Sequence, residues 1–332
     1  MIAMSVGRAR AGERGVKKVS LPALLLIVAA GCAGAQAPGT AANRDPASFS
    51  ISVDVDFMVL HATVTDRQGG FVSDLGQENF AVYENGVLQH IRLFTNEDIP
   101  VTVGLVVDHS TTMRPKIAEV TAAASGFVHS SNRDDEMFVV NFNEKVWLGL
   151  PPGIRFTDST AALERAIATL TFGQTALYDA IAKALEQLQA GTRDKKVLLV
   201  VSDGGDNVSA RSLAQVIKLA EQSSAVIYTV GLFDEDDKDQ NPGVLKRLAQ
   251  VTGGEAFLPS QLNDAVAICE RIARDIRHQY TIGYVPINRN RDGVYRAIRV
   301  LAKAKGHDRL SVRTRTGYVA GGEPALDEKS AK

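Results

Sequence analysis

Apolar and polar positions alternate at both ends of this 332-residue chain and stop alternating in its middle. From residue 49, "FSISVDVDFMVLHATVTDRQGGFVSDL" places Val53, Val55, Phe57 and Val59 on one side and breaks at the turn "DRQGG". This spacing predicts strand, turn, strand. "ENFAVYENGVLQHIRLFT" repeats the pattern, with "ENG" as the turn before Val87. Residues 48–98 therefore read as all β, and about fifty residues of strand cannot cover both of their own faces.

From residue 100 the pattern changes. "VTVGLVV" is a continuous apolar run, as expected of a central strand buried on both faces. A helix is predicted from Lys116 to Ser130, then the strand "EMFVVNF", with "VWLGL" pairing beside it after "NEK". "STAALERAIATL" and "TALYDAIAKALEQLQ" are amphipathic helices, the second with Ile181, Leu185 and Leu188 on one stripe. Strands at "KKVLLVVSDG", "AVIYTVGLF" and "GEAFLP" then alternate with helices at "RSLAQVIKLAEQS", "GVLKRLAQVTG" and "LNDAVAICERIARDIRHQ". Gly253 marks the end of the second of these helices. Such alternation implies βαβ crossovers and a sheet covered on both faces. The class is α/β, Rossmann-like and doubly wound, with a mainly parallel sheet.

From Tyr280 the alternation returns in "YTIGYVP", "VYRAIRVLA" and "LSVRTRTGYV". The economical arrangement is an insertion. Residues 48–98 and 280–320 together build a small β-sandwich, and residues 99–279 form an α/β domain inserted between them. The segment 321–332 reads as a disordered tail.

Composition adds limits rather than chemistry. The chain is 45% hydrophobic and 23% charged, with a net charge of −1. No single-sign field exists to hold a phosphate backbone, so nucleic acid is not an expected partner. The only cysteines, Cys32 and Cys269, form neither a disulfide framework nor a metal spacing. Cys269 lies in a predicted helix and reads as a small buried hydrophobe.

The N-terminus reads as a targeting segment, residues 1–35, followed by a linker, residues 36–47. Arg8, Arg10, Arg14, Lys17 and Lys18 precede "LPALLLIVAAGCAGAQA", whose apolar core is short for a membrane span and carries export-signal flanks. Two processing patterns compete. "AAGC" resembles a bacterial lipobox with Cys32 as the lipidated residue, although Ala29 stands where Leu is usual. "AGA" before Gln36 resembles an ordinary signal-peptidase site. Either route exports the mature protein, to the periplasm, the outer membrane, the cell surface or the medium. The first would also attach it to a membrane through Cys32, where one acyl chain alone is a marginal anchor.

In an open α/β sheet, ligands bind beyond the carboxyl ends of the strands, near the reversal in strand order. Three predicted strand or helix ends carry oxygen donors there: Asp108 with Ser110 and Thr112, Thr175, and Asp203 followed by Gly204. Singly, the hydroxyls read as helix caps and Asp203-Gly204 as a turn. Together they make an all-oxygen set suited to a hard cation, Mg²⁺ or Mn²⁺. So few carboxylates would leave the ion electron-poor, with a position open to a carboxylate from another protein.

These residues resemble the metal-ion-dependent adhesion site of the von Willebrand factor type A domain. That site uses D-x-S-x-S, a distant Thr and a later Asp, usually as D-G. Asp108, Ser110, Thr112, Thr175 and Asp203 occupy the matching positions, with Thr112 keeping the hydroxyl of the usual second Ser. The resemblance covers residues 100–279. It implies that the two loop hydroxyls bind the ion directly, that Thr175 does so when ligand is present, and that the aspartates act directly or through water. The flanks resemble an exported bacterial group, the von Willebrand type A-related proteins of Acidobacteria.

The implied function is cation-dependent protein–protein interaction or adhesion, the ion accepting an Asp or Glu of the partner. The alternatives are a metal-independent envelope structural or assembly protein of the same fold, and a metal-dependent hydrolase. Enzyme signatures are lacking: no G-x-S-x-G, H-E-x-x-H, Walker loop or G-x-G-x-x-G is present, and Ser110 stands where a dehalogenase-like phosphatase needs its second carboxylate. Among neighbouring residues, Asp206 and Asn207 stand close enough after Asp203 to assist a metal. Asp179 is expected to support the loop or face solvent. His109 is expected to face solvent or a partner, and Trp147 to pack on an edge strand. Thr111 falls between ligand positions as a bystander, and "DEDDKDQN" (234–241) reads as a solvated loop.

Overall fold

The computed structural model describes residues 57–168, 173–233, 239–307 and 309–321. All belong to one compact unit, residues 54–332. The targeting segment with Cys32, the linker, residues 48–56, most of the acidic loop (234–238) and the tail from 322 lie outside the described residues.

The alternating flanks form β1 (Met58–Thr65), β2 (Phe80–Glu84), β3 (Val87–Gln89) and β4 (Ile91–Thr95) before the middle region. After it come β11 (Tyr280–Tyr284), β12 (Tyr295–Ala302), β13 (Ser311–Arg313) and β14 (Gly317–Val319). They assemble as two four-stranded sheets, ordered β13-β1-β11-β4 and β14-β12-β2-β3. Each sheet mixes strands from both flanks, and their pairings are antiparallel. The β2–β3 turn places Asn85 (φ 47°) and Gly86 (φ 82°) in the left-handed region that tight hairpins require. Between the sheets lies a core that includes Leu60, Val82, Tyr280, Ile282 and Val300. Glu84, buried in it, accepts from Tyr284 (2.9 Å) and Tyr318 (3.0 Å) and pairs with the buried Arg296 (3.3 Å). A sandwich built from the two flanks around an inserted α/β domain is thus what the chain forms.

The middle region has strands β5 (Val101–Asp108), β6 (Glu136–Phe142), β7 (Val146–Leu148), β8 (Lys195–Ser202), β9 (Val226–Gly231) and β10 (Ala256–Phe257). They form one sheet ordered β10-β9-β8-β5-β6-β7, parallel except for β7. Every residue of β5 is buried, as its continuous apolar run requires. The helices are α1 (Ile117–Ser130), α2 (Thr160–Ile167), α3 (Leu177–Gln189), α4 (Leu213–Gln222), α5 (Pro242–Thr252) and α6 (Asp264–Arg277). The helix predicted from Lys116 begins one residue later, after a 3₁₀ stretch from Thr111 to Lys116. Cys269 is buried on α6. The chain runs from β5 to β6 on one side and then returns to β8 on the other. The reversal in strand order therefore falls between β5 and β8, at whose carboxyl ends α/β sheets of this kind bind ligands.

At the opposite, amino edge of this sheet the α/β region meets the sandwich through buried polar groups. Asp275 on α6 accepts from Thr63 Oγ1 (2.7 Å) and Tyr228 OH (2.9 Å) and pairs with Arg313. Gln279 donates to Tyr228 OH (2.8 Å). Arg277 pairs with Asp135 and with Asp98 (2.9 Å), and Asp135 accepts from Val101 N–H (2.8 Å) at the start of β5. Lys195 Nζ donates to Ile276 O; burial, reinforced by the charge of Arg277, brings its pKa down to about 7.

Candidate metal centre

β5 delivers Asp108 to the carboxyl edge of the sheet, and β8 delivers Ser202 and Asp203 beside it. Asp108 is fully buried, with both carboxylate oxygens engaged. Oδ1 accepts from Ser110 N–H (2.8 Å) and Oδ2 from Ser202 Oγ (2.6 Å). Ser202 Oγ in turn accepts from Gly204 N–H (3.0 Å). Thr112 Oγ1 donates to Asp203 Oδ2 (2.5 Å), so the Ser110 hydroxyl is the donor in its 3.0 Å contact with Thr112. Asp203 Oδ1 accepts from Gly205 N–H (3.0 Å). Four of the five sequence-predicted donors, Asp108, Ser110, Thr112 and Asp203, thus form one hydrogen-bonded oxygen cluster. Gly204 makes the close turn after Asp203. Its φ is +80°, and a Cβ there would stand 2.4 Å from the carbonyl of Asn241.

Thr175 belongs to the second loop in chain order, which is stitched both to the first, after Asp108, and to the third, after Asp203. Its N–H donates to Asn207 Oδ1 (2.9 Å), and its carbonyl accepts from the N–H groups of Asn207 (3.0 Å) and Val208 (3.2 Å). On the other side, Thr111 donates to the carbonyl of Gly173 through its N–H (2.9 Å) and its hydroxyl (3.1 Å). Ala176 N–H donates to Asn143 O (2.8 Å), tying the same loop to the end of β6. No hydrogen bond joins Thr175 to the other four donors among the described residues.

Several neighbours take roles that spacing alone did not reveal. Thr111, expected to be a bystander, joins the first and second loops. Asn207 holds Thr175 in place, whereas Asp206 is engaged by Tyr178 N–H (2.9 Å) and Ser209 Oγ (2.5 Å) at the start of α3. Asp179 supports the third loop, accepting from Ala210 N–H (2.7 Å) and pairing with Arg211 (3.0 Å). Ser202 was missed, although it directly precedes Asp203 at a strand end. His109 corrects the expectation of a solvent- or partner-facing side chain: it is fully buried. Its N–H bonds Phe142 O (2.7 Å), which carries the strand one residue further and turns the ring to the opposite side from Asp108. There the ring lies 6.0 Å from Trp147, which sits on edge strand β7. Asn141 Nδ2 donates to Ala166 O (2.7 Å), so its Oδ1 accepts from His109 Nε2–H (3.0 Å). Burial holds the His109 pKa below its usual value.

The electrostatics of the cluster are dominated by burial and by the proximity of two carboxylates. Burial, then the charge of Asp203, pushes the Asp108 pKa up to about 7, against the pull of its bonds from Ser202 and Ser110. Neither carboxylate makes an ion pair among the described residues. No group of three or more His, Cys, Asp or Glu side chains suited to a metal occurs among them either. The donor chemistry fits a hard divalent ion nonetheless: two carboxylates and neighbouring hydroxyls, with no sulfur or imidazole.

Residues 103–205 match the family model of the von Willebrand factor type A domain. No curated protein matches the sequence. Among solved structures, a von Willebrand factor type A protein from Catenulispora acidiphila is 14% identical, covering 80% of this chain and 74% of its own, with a TM-score of 0.47. The vWF domain of the type V pili tip protein Mfa5 from Porphyromonas gingivalis is 16% identical, covering 54% and 95%, at 0.46. The manganese-loaded TRAP protein of Plasmodium vivax is 15% identical, covering 71% and 98%, at 0.43. The α/β region, through the match over residues 103–205, has the von Willebrand factor type A fold.

Proposed function

We infer that this protein binds another protein in a manner dependent on Mg²⁺ or Mn²⁺, the ion being held by Asp108, Ser110, Thr112, Thr175 and Asp203. The observation that carries this reading is the oxygen cluster at the strand-order reversal, two close carboxylates that make no ion pair among the described residues. A bound ion would supply positive charge and an open coordination position for an acidic side chain of the partner. The chain's own contribution is positioning. Ser202 and the Ser110 N–H fix the Asp108 carboxylate, Gly205 fixes Asp203, and Asn207 fixes the segment that presents Thr175. No residue of the cluster is set up as nucleophile and base, so the reading is of a binding module rather than an enzyme.

Titration calorimetry of the purified chain with MgCl₂ and MnCl₂, repeated on Asp108→Ala, tests the ion. Saturable binding of one ion, lost in the variant, is expected; equal heats from both proteins would refute it. Pull-down from envelope extract with and without chelator tests the partner. Capture that survives both chelator and Asp108→Ala would favour a metal-independent assembly role instead.

Export is part of the same reading, supported by the signal-like residues 1–35. No described helix is long and apolar enough to cross a membrane. If Cys32 is lipidated, Cys32→Ser moves the protein from the membrane to the soluble fraction. A wild type already soluble would leave the ordinary signal-peptidase route.

A further inference from the structure

The sandwich has an opening of its own, remote from the oxygen cluster in sequence and in chemistry. β12 belongs to one sheet and β13 to the other, and the chain crosses between them over residues 303–310. The two strands do not pair, and a cavity of about 700 Å³ lies where they diverge. Its floor is the sandwich core. Val300 is a core residue, and Ala302, Ala304, Leu310 and Val312 pack half-buried against that core. Its rim carries Arg299, Lys303, His307 and Arg309, with no carboxylate among the described lining residues. Arg299, Lys303 and Arg309 are exposed and make no ion pair among the described residues. Among the described residues of a chain of net charge −1, this is positive charge collected locally without a paired carboxylate.

An apolar floor beneath a cationic rim matches a ligand with the converse halves. We propose that this cavity binds an amphiphilic anion, an acyl or alkyl chain lying on Val300, Leu310 and Val312 with a phosphate or carboxylate head group at Arg299, Lys303 and Arg309. The volume falls in the range of small-molecule sites. Burial of hydrocarbon supplies the non-directional part of the affinity, and the guanidinium groups supply preference for an anionic head. The inference is independent of the cation site, because no donor of that site lines this cavity.

Titration calorimetry with dodecyl phosphate below its micelle concentration tests the proposal on the full chain. One saturable site is expected, with inorganic phosphate and the neutral dodecyl maltoside each at least tenfold weaker. Lys303→Glu combined with Arg309→Glu, both exposed positions, is expected to weaken dodecyl phosphate at least tenfold while leaving Mg²⁺ titration unchanged. Leu310→Ser tests the floor, with an expected fivefold or greater loss and a circular dichroism melt to verify folding. Co-sedimentation with phosphatidylglycerol vesicles separates the sources: binding to vesicles as well assigns a membrane lipid, and binding of the monomer alone assigns a free amphiphile. Absence of saturable binding, equal affinity for inorganic phosphate, or undiminished affinity in the charge-reversed variant would overturn it.

Discussion

The two edges of the central sheet treat buried carboxylates in opposite ways. At the amino edge, Asp275 and Asp135 are matched by Arg313 and Arg277. At the carboxyl edge, Asp108 and Asp203 face hydroxyls and backbone N–H groups but make no ion pair among the described residues. The chemistry of the acids is the same; what differs is whether the chain supplies the counter-charge. Where it does, the acids join the inserted domain to the sandwich. Where it does not, the proposed ion would supply the counter-charge. A buried charge without a partner is costly, so the carboxyl edge is the less stable half of the comparison.

Mutation separates the edges most sharply. Asp275→Ala leaves Arg313 without its buried partner and is expected to destabilise the chain by about 3–5 kcal/mol in urea unfolding. Asp108→Asn should do the reverse in metal-free buffer, leaving the protein at least as stable as wild type, because it removes one of two repelling buried carboxylates. A large loss of stability in that variant would contradict the proposed cation site. Added ion provides the complementary measurement. MgCl₂ at a hundredfold excess over its dissociation constant should contribute about 2.7 kcal/mol and raise Tm by about 5–10 °C, with no shift in Asp108→Asn.

Acid probes the amino edge. Burial, then the charges of Lys195 and Arg315, lower the His61 pKa from 6.5 to about 3. Between those values the unfolded chain takes up a proton that the folded chain refuses. The stabilisation is therefore complete above pH 6.5 and is lost as pH falls toward 3, by about 2 kcal/mol at pH 5. Denaturant unfolding at pH 7 and pH 5 should show this loss, and His61→Gln should flatten it. The smallest effect is expected at the carboxyl edge. Asn207→Ala removes one hydrogen bond to the Thr175 segment and should weaken Mg²⁺ by about fivefold, about 1 kcal/mol, with little change in Tm.

Sequence patterns with short reach were read well. The uninterrupted run of β5 marked a strand covered on both faces, and the return of alternation at Tyr280 marked the second half of the sandwich. The donors Asp108, Ser110 and Thr112 were legible because they lie on one loop at a fixed spacing from a strand end. What escaped was set by loops distant in sequence. Thr111 bonds a carbonyl sixty-two positions away, and Asn207 holds a residue thirty-two positions earlier. Neither contact leaves a local signature, since crossover topology alone brings those loops together. His109 was misjudged for a different reason. Apolar patterning suggested that the strand ended at Asp108, but its hydrogen bonding continues one residue further and carries the imidazole into the core.

The way the inserted domain is attached has a mechanical consequence. The chain enters it from β4 and leaves it into β11, and these strands are hydrogen-bonded neighbours, with Thr95 opposite Thr281. A force applied to the domain would pull on two covalent tethers at once, side by side, rather than on one. Tension is shared between them, and β1 on the far side of β11 resists through a five-residue antiparallel register. The attachment is that of a handle fixed at both ends.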